Sequence, residues 1–133
     1  MLKTKENSII YIAIPPNTRT GGPEALHQLC DAFKNTKTNA KVVYISFKKT
    51  LFKTKHAIHQ KSTPKEYDIY DFKTADSIEF SPNNIIIIPE VMTHIIHVLK
   101  PLQISIWWLS VDNYTKQKKK YTNFSDSSIT HLF

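Results

Sequence analysis

The sequence predicts an α/β domain of the Rossmann-like class, with an open, mostly parallel sheet and helices on both faces. Three observations lead there. Apolar, β-favouring runs of the kind buried on both sides recur at Ser8-Ile-Ile-Tyr-Ile-Ala-Ile14, Lys41-Val-Val-Tyr-Ile-Ser46, Asn84-Ile-Ile-Ile-Ile-Pro89 and Gln103 to Leu109. Between the first and second runs, and again between the third and fourth, apolar residues return at helical spacing. The unit strand, helix, strand is therefore built twice, which is how crossover connections assemble a parallel sheet.

In chain order, the first strand stops at Pro15-Pro16, and Pro23 suits the opening position of a helix whose apolar stripe is Ala25, Leu26, Leu29, Cys30 and Phe33. After the second strand, Phe47 to Tyr67 loses its pattern to Lys48, Lys49, Lys53, Lys55, Lys61 and Lys65, and reads as a long connection. Asp68 to Phe72 is expected to form a short third strand, and Asn84 to Pro89 a fourth. Val91, Met92, Ile95, Ile96 and Leu99 repeat the stripe of the first helix, and Pro101 ends it. Lys116 to Lys120 is a solvated basic stretch, and Ser128 to Phe133 one more strand.

The 133 residues fit one domain, spanning 1–133. A hydrophobic fraction of 41% excludes a disordered polymer, and the longest purely apolar run, Ile85 to Ile88, is far too short for a bilayer. The start carries no export signal, and the lone Cys30, on the apolar stripe, is expected in the core, so a reducing, cytoplasmic setting is expected. A formal charge of +7 ordinarily points to nucleic acid or an anionic membrane. Arg19 is the only arginine, however, and readers of bases and phosphates lean on the guanidinium fork, so no specific nucleic-acid partner is expected.

Open parallel sheets bind ligands beyond the carboxyl ends of their strands, which singles out three places. The first is Asn17 to Glu24, including the turn Thr20-Gly21-Gly22-Pro23-Glu24, where both glycines of the protein lie side by side. Gly21 and Gly22 can adopt positive φ and admit a ligand to bare backbone at a helix N-terminus, whereas Pro23 removes a donor and Glu24 opposes an anion. A tight turn with no ligand is the competing reading. The second place is Glu90, a carboxylate for sugar hydroxyls or simply an acidic helix start. The third is Trp107-Trp108 followed by Asp112 and Asn113: one tryptophan should enter each helix layer, while Asp112 is a candidate general base, Asn113 a candidate sugar ligand, and an Asx turn the alternative for both. His27 lies one position off the stripe, at the ligand loop or in solvent. The pairs His56-x-x-His59 and His94-x-x-His97 lack the further ligands a metal site needs, so neither metal nor cofactor is expected. The glycine spacing is not that of a dinucleotide or P-loop motif.

The run Tyr11-Ile-Ala-Ile-Pro15 with Thr20-Gly-Gly-Pro-Glu-Ala-Leu-His-Gln-Leu29, and later Trp107-Trp-Leu-Ser-Val-Asp-Asn113, resembles the N-terminal, acceptor-side domain of bacterial GT-B glycosyltransferases that assemble surface polysaccharides. The resemblance spans nearly the whole chain and is most specific at the glycine loop. It implies that Gly21 and Gly22 approach the donor diphosphate and that Thr20, Glu24, His27 and Asn113 bind substrate. Glu90 and Asp112 would border the pocket of a glycan or lipid-linked acceptor, and the lysines from Lys48 to Lys65 would meet that acceptor near the membrane. The nucleotide-sugar domain of that family is expected to be missing, so a nucleotide-binding domain or subunit becomes a required partner and the chain alone should not transfer sugar. The alternative is a non-catalytic α/β binding module, peripheral at the inner face of an anionic membrane.

Overall fold

The computed structural model describes residues 2–49, 54–59, 65–117 and 120–133. Strands β1 (Ile9–Ile14), β2 (Asn39–Lys49), β3 (Thr54–His59), β4 (Ile85–Pro89), β5 (Gln103–Trp107) and β6 (Ile129–Leu132) form one sheet in the order β3-β2-β1-β4-β5-β6. The five strands β2-β1-β4-β5-β6 are all parallel, and only β3 runs antiparallel, on the outer edge of β2. Helix α1 (Gly21–Phe33), a 3-10 helix (Glu90–Val98) and a short helix α2 (Val111–Thr115) fill the connections β1 to β2, β4 to β5 and β5 to β6. This is the Rossmann-like α/β architecture that the repeated units predict.

Side-chain alternation sorts the sheet into two cores. Ile10, Ile12 and Ile14 of β1, Val42 and Tyr44 of β2, and Ile85 and Ile87 of β4 pack with Leu26 and Cys30 of α1. The intervening residues Tyr11, Ala13, Val43, Ile45, Ile86 and Ile88 face the other way and pack with Met92, Ile95, Ile96 and Leu99. The adjacent tryptophans divide as the alternation requires, Trp107 against the α1 layer and Trp108 against the opposite one. Cys30 is buried and its thiol is pushed up to about 11 by desolvation, so it behaves as a small apolar residue. At the amino end of the sheet the buried Asn84 side chain accepts a hydrogen bond from Ile9 N at 2.9 Å and donates to Glu79 O at 3.0 Å. That amide ties the starts of β1 and β4 together.

Three elements depart from the sequence reading. Among the described residues of the expected long connection, 47–49 and 54–59 are strand: β2 continues to Lys49 and pairs with β3 from Tyr44↔His59 to Lys49↔Thr54. Lys53 and Lys61 of that segment lie outside the described residues. Asp68 to Phe72 is not a strand; just beyond it, Thr74 makes an isolated parallel bridge to Val42, the part of β2 that β3 does not reach. The helix after β4 is 3-10 rather than α, and its exposed residues recur every third position at His94, His97 and Lys100. Over nine residues the stripe Val91, Met92, Ile95, Ile96, Leu99 satisfies a period of three as well as one of 3.6.

Residues 65–73 lie alongside α1. Tyr67 Oη donates to Thr20 O at 3.2 Å, Tyr70 Oη accepts from Gln28 Nε2 at 2.8 Å and donates to Glu24 Oε1 at 3.0 Å, and Asp71 N donates to Asp31 Oδ1 at 2.9 Å. The exposed Arg19–Glu66 ion pair at 2.9 Å adds little stability in solvent.

Ile86, fully buried in β4, and Ile69, 79% exposed, offer a direct contrast. Ile86→Ala should lower the unfolding free energy in urea by about 2–5 kcal/mol. Ile69→Ala should change it by no more than about 0.5 kcal/mol.

Candidate functional site

The strand order places the topological switch point between β1 and β4, since the chain leaves β1 toward β2 on one side and later returns to β4 on the other. A cleft of about 240 Å³ opens there, beyond the carboxyl ends of β1, β4 and β5. One wall is Thr20, Gly21 and Gly22 at the start of α1, the floor includes Pro89 and Glu90 after β4, and the far wall is Leu109, Ser110 and Asn113 after β5. Three segments singled out separately in the sequence therefore meet in one place.

The glycines work differently from expectation. Neither has positive φ; the left-handed residue of the loop is Asn17, at φ 55°. Asparagine tolerates that region better than most side chains. Gly21 and Gly22 are instead the first two residues of α1, and Pro23, expected to open the helix, is the third. A Cβ on Gly21 would meet nothing within 4 Å, and one on Gly22 only Leu109 Cδ1 at 3.7 Å. Packing thus does not demand glycine at either position. What their missing side chains leave is space in the cleft beside first-turn amides that have no intrahelical acceptor.

Glu90 is the carboxylate of the site. It is 2% exposed, and its Oε2 accepts from Leu109 N at 3.0 Å while its backbone carbonyl accepts from Gln117 Nε2 at 2.8 Å. The side chain is thereby fixed to the loop after β5. Ser110 caps α2 by accepting from Asn113 N at 3.4 Å, which sets Asn113 at the rim. Among the described residues lining the cleft there is no cation, so its chemistry is that of hydroxyls, amides and one carboxylate.

Three expected site residues are placed elsewhere. Asp112 is exposed in the first turn of α2 and does not line the cleft, and its backbone carbonyl accepts from Thr115 Oγ1 at 2.9 Å. Glu24 turns outward to Tyr70 Oη at 3.0 Å. His27, expected at the ligand loop or in solvent, is fully buried. Its Nδ1 donates to Pro23 O at 2.6 Å and its Nε2 accepts from Tyr44 Oη at 2.6 Å, with Tyr67 and Phe72 rings 4.5 Å and 4.9 Å away. Both nitrogens are satisfied by the neutral ring, and desolvation by burial holds its pKa below the usual histidine value. It braces the first turn of α1 from behind the cleft. Thr18, Leu109 and Ser110 fall within the candidate stretches Asn17 to Glu24 and Trp107 to Tyr114 but are not singled out as ligand residues there; their position just after strand ends is the signal that marks them.

Of the histidine pairs, His56 and His59 are on strand β3 rather than a helix, and His94 sits edge-on to Phe47 at 6.0 Å. Among the described residues no cluster of three histidine, cysteine or acidic side chains could hold a metal ion, and no helix is long and apolar enough to cross a membrane.

Two outcomes check this geometry. Gly22→Ala should keep or raise stability, by about 0.5 kcal/mol through better helix propensity, while filling part of the cleft; thermal unfolding reads the first effect and ligand titration the second. For His27, the folded pKa lies below the unfolded value of about 6.5, so the unfolded chain binds the extra proton first. The stabilisation is complete above that pH and is lost as pH falls toward the folded pKa. Urea midpoints measured from neutral to mildly acidic pH should decline, and His27→Gln should flatten that decline.

Comparison with known proteins returned no family model, no curated protein and no solved structure that matches the chain. The molecule is described, accordingly, by its architecture: a Rossmann-like α/β domain with a five-strand parallel open sheet and an antiparallel edge strand.

Proposed function

We propose that this domain is the acceptor-binding half of a glycosyltransferase, and that the cleft between α1, Glu90 and α2 receives an uncharged sugar unit of the acceptor. The observation that carries the reading is the meeting of Thr20 to Gly22, Glu90 and Asn113 at the switch point. A volume of about 240 Å³ is small beside the usual range for drug-sized ligands and suits one compact polar group. Hydroxyl and amide groups with a single buried carboxylate complement a polyol, whereas a phosphate would meet Glu90 without a cation to offset it.

In this reading Glu90 takes the proton of an acceptor hydroxyl as that oxygen bonds to the donor's anomeric carbon and the nucleoside diphosphate leaves on the nucleotide-binding domain or subunit, a general-base role that needs the carboxylate held still. The Leu109 amide holds it. Asn113 and Thr20 orient the ring, and the open space over Gly21 and Gly22 admits the sugar of a donor whose diphosphate stays with a nucleotide-binding domain or subunit. Asp112, outside the cleft lining, is given no role in this reading.

The test is an NMR titration of the chain with neutral monosaccharides and, separately, with nucleoside diphosphate sugars. Neutral sugars should shift the amides of Gly21, Gly22, Leu109 and Asn113, and Glu90→Gln should weaken the interaction about tenfold or more. Sugars that leave those amides unmoved would refute the binding site. Ordinary turnover of a nucleotide sugar by the chain alone would refute the half-enzyme reading.

A further inference from the structure

We infer that an aromatic surface on the far side of α2 docks this domain onto an anionic lipid bilayer. Helix α2 has two working sides: Ser110 and Asn113 border the cleft, while Val111 and Tyr114 line a separate, outward-opening hollow of about 490 Å³ together with Trp108, Phe124, His131 and Phe133. The inference does not depend on what the cleft binds.

The hollow is apolar where a water-facing surface ordinarily is not. Val111 is 64% exposed and Phe124 53%, and the rings of Trp108, Tyr114 and Phe124 pack within 4.9–6.0 Å of one another. Contiguous exposed aromatic and aliphatic side chains mark a surface that is covered in use. The polar tips of two of the rings are satisfied inside the protein: Trp108 Nε1 donates to His131 Nδ1 at 3.0 Å and Tyr114 Oη to Tyr121 O at 2.6 Å, whereas His131 Nε2 is buried without a partner among the described residues. Moving these two rings out of water therefore strands no unpaired donor from Trp108 or Tyr114.

Charge selects the occupant. Lys120 Nζ stands 4.9 Å over the Tyr114 ring, at the margin of the hollow, and Lys116, exposed, closes α2. Two acidic groups lie as near, Asp112 exposed on α2 and Asp126 held by Tyr121 Oη at 2.7 Å and by Ser128 N at 2.9 Å, so the excess of positive charge is that of the chain as a whole. A second copy would add the repulsion of two chains of net charge +7, whereas an anionic bilayer attracts that charge and offers the aromatic rings its interfacial zone. Tryptophan, tyrosine and lysine stems are the side chains suited to that boundary.

The experiment uses the full chain carrying Trp107→Phe, so that Trp108 is the sole tryptophan reporter, mixed with vesicles of phosphatidylcholine alone or with phosphatidylglycerol. The protein should sediment with the mixed vesicles, far less with the neutral ones, and its fluorescence should shift to the blue. Lys116→Gln and Lys120→Gln should each lower partitioning about fivefold at low salt. Val111→Ser with Phe124→Ser should abolish the blue shift while circular dichroism shows the fold intact. Absence of binding to the mixed vesicles overturns the proposal, as does binding that the serine variant leaves unchanged, which would be electrostatic adsorption elsewhere. A concentration-dependent dimer dispersed by the serine variant would overturn it in favour of a second copy.

Discussion

Ile85, Ile86, Ile87 and Ile88 stand between β1 and β5 with no side that tolerates water, and the rest of the molecule is arranged to cover them. Such a strand is stable only with helices on both faces and neighbours on both edges, which places β4 at the centre and requires crossover connections above and below the sheet. α1 supplies one cover and the 3-10 helix the other. The same central position creates the switch point, because β1 and β4 lie side by side although their connections depart in opposite directions. The cleft is thus a by-product of how the core is buried.

What the sequence revealed and what it hid follow from the range of the interactions involved. Strands β1, β2, β4 and β5 are written in their own residues, because burial on both faces demands an unbroken apolar run. β3 is not: Thr54 to His59 carries polar residues suited to an edge, and only its pairing with β2 identifies it as a strand. His27 was misplaced for a related reason. A histidine off the apolar stripe reads as solvent-facing until Tyr44, seventeen positions away on β2, supplies the hydroxyl that makes burial tolerable. The glycine pair does line the cleft, but not for the expected conformational reason: the left-handed residue is Asn17, and the glycines are gaps.

The site was legible as positions and illegible as a constellation. Thr20 to Gly22, Glu90 and Asn113 follow strand ends, which the apolar runs locate. That Glu90, directly after β4, would turn inward to the Leu109 amide while Asp112, farther beyond the end of β5, would turn outward is a matter of helix phase. α2 begins at Val111, so one position separates the residue that faces the cleft from the one that does not. No local pattern fixes that rotation; the packing of Tyr114 beneath Trp108 does.

The segment 65–73 has a mechanical consequence for the cleft. By gripping α1 at Thr20, Glu24, Gln28 and Asp31, it fastens the long helix along most of its length. The opposite wall rests on α2, only five residues long. The two jaws are therefore unequal: one is a fixed anvil that sets what shape is accepted, and the other is the short arm through which any adjustment of width has to pass.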